Sequence, residues 1–288
     1  MIRVTFDRSA FNGQNFERLQ HGQLEAVCRR GIIQVFHTPV FLEETFDMFA
    51  VEANREELRR QLPFILRIAN GGMFRTIREI WHDELVQNRG PNVRLLWTQR
   101  ERREFEERIQ HAPLKSDAWG YWAATAGERD DKQLKKNNQK EAYRDVREGL
   151  TARLRANGHQ RPLSSYQFAD HLASDLDLYG RTIIGSQIPS KNTLALQNQW
   201  SRNKERYPFV TGFAEGFAYA GFYAAIEQNS PLDRNAQADY EQMTYLHATD
   251  ILVSADTRFL RDAFDALWKP RGKVLMSPDK FIEFISRL

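Results

Sequence analysis

Two carboxylates at opposite ends of the chain have the placement that divalent-cation chemistry needs. Asp7 closes the apolar run Ile2-Arg3-Val4-Thr5-Phe6, and Asp256 closes Ile251-Leu252-Val253-Ser254-Ala255, each followed by a segment that reads as helix. In open α/β sheets ligands bind in the crevice beyond the carboxyl ends of the strands, so acids at two strand ends point to one shared site. Two further carboxylates have a suitable context. Glu44 lies in Thr38-Pro39-Val40-Phe41-Leu42-Glu43-Glu44, where a strand turns into a helix, and Asp239 stands near a helix start in Asn235-Ala236-Gln237-Ala238-Asp239. Glu43 competes with Glu44, because helix phase near its start cannot be fixed to better than a residue or two. Ser9 follows Asp7 by two positions, and Ser254 precedes Asp256 by two. Carboxylates that converge repel one another and cannot all stay ionised without a compensating cation. Mg²⁺ or Mn²⁺, which prefer oxygen ligands, would supply it.

Each acid also has a plainer role. Asp7 and Asp256 could cap the helices that follow them, Glu44 could be a solvated helix residue, and Asp239 a surface acid. Asp250 precedes its strand, at the far end from Asp256, and reads as a turn or cap residue. Glu215, alone in an apolar helix, is either partnered or an accessory to the site. Other catalytic designs are missing: there is no Gly-x-Ser-x-Gly elbow, no phosphate-binding loop ending in Lys-Ser/Thr and no Gly-x-Gly-x-x-Gly turn. His171 and Asp175 are one helical turn apart and His82 precedes Asp83-Glu84, but neither pair has the spacing of a zinc helix, so satisfied or surface histidines are expected.

The elements that must position the acids alternate. Strands are expected at Arg3 to Phe6, Ile32 to Phe36, Ile251 to Ala255 and Lys273 to Met276. Helices are expected at Gln14 to Arg30, Ala236 to Ala248, Thr257 to Trp268 and after Ser277-Pro278, where Ser can cap and Pro fits the first turn. Such alternation implies βαβ units and a mostly parallel sheet. Residues 1–50 and 230–288 therefore form one discontinuous α/β core, with a large all-helical insertion at 51–229 whose last helix packs on the core. Phe209 to Ile226 is apolar and about as long as the shortest spanning helices, roughly 17 residues. It carries Glu215, Gly212, Gly216 and Gly221, and reads as a helix buried in protein.

The 288 residues carry a net charge of +3, with 41% hydrophobic and 27% charged residues, which describes an ordinary globular chain and permits a polyanionic partner without requiring one. A single cysteine, Cys28, excludes an intrachain disulfide and a Cys-rich zinc site. No leader pattern opens the sequence, so cytoplasmic residence is expected. Between Arg129 and Arg161, Lys132, Lys135, Lys136, Lys140, Arg144, Arg147, Arg153 and Arg155 form either a solvated face or a phosphate-contacting patch. Trp119, Tyr121 and Trp122 could stack on unpaired bases or pack in a core.

In this order the series Asp, Glu, Asp, Asp resembles the PIN-domain family of metal-dependent nucleases. The strongest local match is Ile251-Leu252-Val253-Ser254-Ala255-Asp256-Thr257-Arg258-Phe259, and the tail Lys273-Val274-Leu275-Met276-Ser277-Pro278-Asp279-Lys280-Phe281 is similar to that family's closing strand and helix. The resemblance covers roughly residues 1–50 and 230–288; compact members have a short helical link where this chain has its insertion. It implies a PIN-like, Rossmann-like sheet flanked by helices. It makes Asp7, Glu44, Asp239 and Asp256 the catalytic, metal-binding acids for Mg²⁺ or Mn²⁺, with Ser9 and Ser254 as supporting hydroxyls. The function implied is hydrolysis of phosphodiester bonds, RNA before DNA, by an endoribonuclease. The rivals are a non-catalytic PIN-like scaffold that binds nucleic acid or protein, and a structure-specific DNA nuclease. No membrane partner is expected, while an inhibitory partner protein and a homo-oligomer are both compatible with the sequence.

Overall fold

Among the described residues five short runs pair as strands: β1 (Ile2–Phe6), β2 (Ile33–His37), β3 (Gly72–Met73), β4 (Ile251–Val253) and β5 (Val274–Met276). The computed structural model describes residues 1–47, 54–111, 145, 148–149, 151–153, 155–156, 167–188, 190–226 and 235–288. Among these, α1 (Gln14–His21), α2 (Leu24–Arg29), α3 (Pro39–Asp47), α4 (Arg55–Ile68), α5 (Ile77–Trp81) and α6 (Gln99–His111) precede the long helix α7 (Phe168–Gln187). After it come α8 (Thr193–Arg202), α9 (Pro208–Ile226), α10 (Ala236–Thr244), α11 (Phe259–Leu267) and α12 (Pro278–Ser286).

All strand pairs are parallel, in the order β3-β2-β1-β4-β5. A parallel sheet needs cover on both faces, because its crossovers run over them. The alternation of side chains divides accordingly. Val4, Phe6, Ile33, Val35, Ile251 and Val253 point to one face, where they meet Leu19, Val27, Ile65 and Phe281. Phe36 and Leu252 point to the other, among Phe213, Met243, Leu260 and Trp268. The chain winds outward in both directions from β1 and β4, so the protein is a doubly wound α/β fold with its topological switch point between those two strands.

Several expectations took a different form. The helix expected over Gln14 to Arg30 breaks into α1 and α2 at Gly22, which is extended (ψ −172°) and leaves no room for a side chain against the Arg18 carbonyl oxygen, 2.8 Å from where a Cβ would lie. One strand comes from the stretch read as helical. β3 is only Gly72-Met73, so no apolar run announces it, and Gly71 lets the Phe36 ring pack where a Cβ would meet it at 2.7 Å. The Asn70 side chain ties this edge to β2: Oδ1 accepts from Val35 N at 2.8 Å, while Nδ2 donates to Ile33 O at 2.8 Å and Cys28 O at 2.9 Å. The closing helix is as expected, with Ser277 Oγ accepting from Lys280 N and Pro278 in the first turn.

The apolar segment is α9, which packs most extensively on α7 and α10. No helix among the described residues is long and apolar enough to cross a membrane. Close packing there depends on glycines: a Cβ on Gly216 would lie 2.6 Å from Tyr240 Cβ, and one on Gly212 2.6 Å from His247 Nε2. On α7, Gly180 lies under the fully buried Trp200 ring, 2.0 to 2.4 Å from where a Cβ would sit. The basic residues Lys132, Lys135, Lys136, Lys140, Arg144 and Arg147, and the aromatics Trp119, Tyr121 and Trp122, lie outside the described residues. Arg153 is described, and pairs with Asp175 at 3.1 Å.

Gly180→Ala sets two effects against each other. Alanine in a helix interior gains about 1 kcal/mol over glycine, whereas overpacking a rigid buried ring costs about 1–3 kcal/mol or more. The clash wins because the Trp200 ring is fully buried and tied by Nε1 to Thr211 Oγ1 at 3.0 Å, and urea titration is expected to show a net loss of about 2 kcal/mol.

Candidate functional site

In a doubly wound sheet the crevice that takes ligands lies at the switch point, here beyond the carboxyl ends of β1 and β4. Asp7 follows β1 directly, its backbone N donating to Val253 O at 2.9 Å, so the two strand ends are stitched together at the first residue of the crevice. Its side chain is an organising acceptor. Oδ2 accepts from Ser9 N at 3.2 Å, from Ser254 Oγ at 2.8 Å and, by a short bond, from Ser9 Oγ. Each hydroxyl, having donated to Asp7, accepts an amide: Ser9 Oγ from Ala255 N of the opposite loop at 2.9 Å, and Ser254 Oγ from Asp256 N of its own loop at 3.0 Å. Asp256 Oδ1 accepts from Arg258 N at 2.7 Å and so orders the turn into α11. Asp7 also caps the 3₁₀ turn Arg8–Phe11. Capping and site-building are thus the same arrangement here.

Asp239 and Gln242 lie three residues apart on α10 and share a face. Gln242 is buried: Nε2 donates to Phe6 O at 3.0 Å and Thr5 Oγ1 at 3.2 Å, and Oε1 accepts from Thr38 Oγ1. Thr38 Oγ1 in turn accepts from Phe41 N at 3.1 Å, at the start of α3. One carboxamide therefore fixes α10 against β1 and the β2–α3 turn. Because α10 runs back toward the start of β4, its first turn and the buried Asp239 lie at the sheet's carboxyl end.

The two candidate glutamates of α3 separate. Glu44 is half-buried and, with Asp7 and Glu57, places its negative charge at the Arg8 guanidinium; exposed Glu43 instead acts on Tyr245, alongside Glu241 and Glu79. Arg8 is a component that sequence reasoning missed. It is buried, and Nη2 donates to Gln61 Oε1 at 2.6 Å. Burial lowers its pKa, and Glu57, Asp7 and Glu44 push it back up. A charged residue directly after an apolar strand and beside Asp7 was the available signal.

Other candidates lie elsewhere. Glu215 accepts from Arg271 Nη2 with both oxygens at 2.7 Å, and that guanidinium lies over the Trp268 ring, 5.0 Å from its centroid. Arg271 precedes β5, so this pair belongs to the opposite end of the sheet from Asp256. Asp250 is also at that end, accepting from Arg3 N at 2.9 Å and from its guanidinium at 3.2 Å. His171 is buried beside Asp175, 3.3 Å away, among Phe168, Tyr179 and Phe222.

Among the described residues, no group of three or more His, Cys, Asp or Glu is close enough together to hold a metal ion. Asp7 Oδ1 and Asp256 Oδ2 accept no hydrogen bond from the described residues, and they are the carboxylate oxygens this network leaves for a ligand. Such a donor set suits magnesium, which keeps several waters and takes one or two carboxylates together with substrate phosphate. It does not suit an all-protein cage. No family model matches the chain, and no curated protein or solved structure matches it.

His37, at the end of β2, is fully buried, its Nε2 2.7 Å from Ile65 O and its ring stacked on Phe41. Burial lowers its pKa from 6.5 to about 4. Protonation therefore favours the unfolded chain, so the stabilisation from keeping His37 neutral is complete above pH 6.5 and is lost as pH falls toward 4. Urea titrations are expected to show about 3 kcal/mol less stability through this residue at pH 4, and His37→Gln is expected to remove that part of the pH dependence.

Proposed function

We propose that the chain is a metal-dependent nuclease of PIN-like fold that hydrolyses phosphodiester bonds in RNA as an endoribonuclease, with Mg²⁺ or Mn²⁺. The observation that carries this reading is the joining of Asp7, Ser9, Ser254 and Asp256, residues from opposite ends of the chain, into one hydrogen-bonded cluster at the switch point of a parallel sheet. Asp7 and Asp256 would hold the cation, with Asp239 and Glu44 bordering the crevice as further ligands, direct or through water. When bound, the ion would polarise the scissile phosphate and lower the pKa of an attacking water. Ser9 and Ser254 keep the Asp7 carboxylate in one orientation by occupying Oδ2, which leaves Oδ1 to face the crevice. Arg8 compensates part of the charge of Asp7, Glu44 and Glu57, and so lets the acids approach one another.

One observation favours a second reading, a PIN-like scaffold that binds without cutting: Arg8 already neutralises charge beside Asp7, and three donors already engage Asp7 Oδ2. Cleavage of labelled single-stranded RNA and of flap DNA, in Mg²⁺, Mn²⁺ or EDTA, separates the readings. Metal-dependent cutting of RNA by wild type is expected, with Asp7→Asn and Asp256→Asn each at least about a hundredfold slower while still folded. A preference for flaps at matched salt would make it a structure-specific DNA nuclease. A folded wild type inert in every metal would leave the scaffold.

A further inference from the structure

On the helical side of the molecule an open cleft of about 550 Å³ lies between α8, the 3₁₀ turn Lys204–Arg206 and the loop after the π-helical turn His82–Val86. A volume of this size is that of a small-molecule site. One wall is a single face of α8, where Ala195, Asn198, Gln199 and Arg202 recur at helical spacing while Leu196 and Trp200 bury the other face.

The polar groups of this wall are held in defined orientations. Asn198, which lines the cleft, accepts from Arg181 Nη1 through Oδ1 at 3.1 Å, which leaves its amide hydrogens as donors. Gln199 Nε2 donates to Tyr207 Oη at 2.9 Å, Asn88 Oδ1 at 3.2 Å and Leu85 O at 3.3 Å, which leaves its carbonyl oxygen as an acceptor. Tyr207 Oη donates to Asn88 Oδ1 at 3.0 Å. Asn88 itself has φ +52°, a left-handed conformation that costs free energy in any non-glycine residue and persists where surrounding contacts over-determine it. Opposite, Arg206 Nη2 donates to Asn88 O at 3.2 Å, and its stem crosses Gly90, where a Cβ would lie 2.9 Å from Arg206 Cγ. Lys204 is taken up by Asp177 at 3.0 Å, but neither Arg202 nor Arg206 forms an ion pair with any described residue.

Two exposed guanidiniums without carboxylate partners are suited to phosphate oxygens. Neighbouring carboxamides presenting one donor and one acceptor match the hydrogen-bonding edge of a nucleobase. We propose that this cleft binds a nucleotide, its phosphate on Arg202 and Arg206 and its base edge on Asn198 and Gln199. The same chemistry is offered by a free mononucleotide or by one residue of an RNA strand; only the strand arm rests on the nuclease reading.

The test is binding in EDTA, by calorimetry for AMP, GMP, CMP and UMP and by fluorescence anisotropy for a labelled single-stranded RNA, with inorganic phosphate as competitor. Wild type is expected to bind, and Arg202→Gln and Arg206→Gln, both at exposed positions, are expected to weaken binding by about tenfold each. Asn198→Ala is expected to level the differences among the four bases, and Asp256→Asn to bind as wild type whether or not the sheet crevice cuts RNA. Mononucleotides that bind and displace the RNA identify a free nucleotide as the ligand; RNA bound with the same losses in the variants, but not displaced by mononucleotides, identifies a strand. Absence of binding in both arms, variants indistinguishable from wild type, or phosphate competing as well as the nucleotides would overturn the proposal.

Discussion

The parallel pairing of β1 with β4 is the constraint on which the rest of this structure depends. Its register sets Val4 beside Ile251, Thr5 beside Leu252 and Phe6 beside Val253, joining segments from the two ends of the chain. Closing so long a loop costs conformational entropy, but the cost grows only logarithmically with length. Burial of Val4, Phe6, Ile251, Leu252 and Val253 offsets it with apolar surface on both faces of the sheet. Once the register is set, Asp7 and Ser254 lie one residue beyond paired strand ends. Their hydrogen bond, between residues 247 apart in sequence, follows without further adjustment.

Gln242 and Asn70 show how the fold makes polar side chains perform backbone tasks. Asn70 supplies both donor and acceptor to main-chain groups of β2, and Gln242 donates to Phe6 O at the end of β1 while its own oxygen takes the Thr38 hydroxyl. Gln242 has a second consequence, because it locks α10 to the crevice and thereby delivers Asp239 there. The position of one acid is set by the hydrogen bonding of its neighbour one turn away.

Several buried charges among the described residues are met by an opposite charge. Arg8 lies among Asp7, Glu44 and Glu57; Glu215 takes Arg271 with both oxygens; Asp83 takes Arg75 at 2.7 Å. Glu84 forms no ion pair with any described residue. Its two oxygens accept Phe209 N and Val210 N, each at 3.0 Å, at the start of α9, and burial pushes its pKa up to about 8 even against the pull of those amides. Acids in the helical half of the molecule thus hold elements together, whereas Asp7 and Asp256 each retain an oxygen that accepts no hydrogen bond from the described residues.

The α/β class, four of the five strands and the start of the closing helix were legible in the sequence, because apolar runs ending in Asp and a Ser-Pro cap act through local chemistry. The strand-end positions of Asp7, Ser9, Ser254 and Asp256 were legible for the same reason. β3 was not, since an edge strand of two residues beginning at a left-handed glycine has no periodicity to read, and its pairing is made by Asn70 and by the space that Gly71 leaves for Phe36. Whether Glu43 or Glu44 faces Arg8, that Glu215 serves Arg271 at the other end of the sheet, and that Gln242 carries Asp239 to the crevice were settled only by tertiary packing. Helix phase, close approach and burial are properties of surfaces in contact, and no single segment of the chain contains both surfaces.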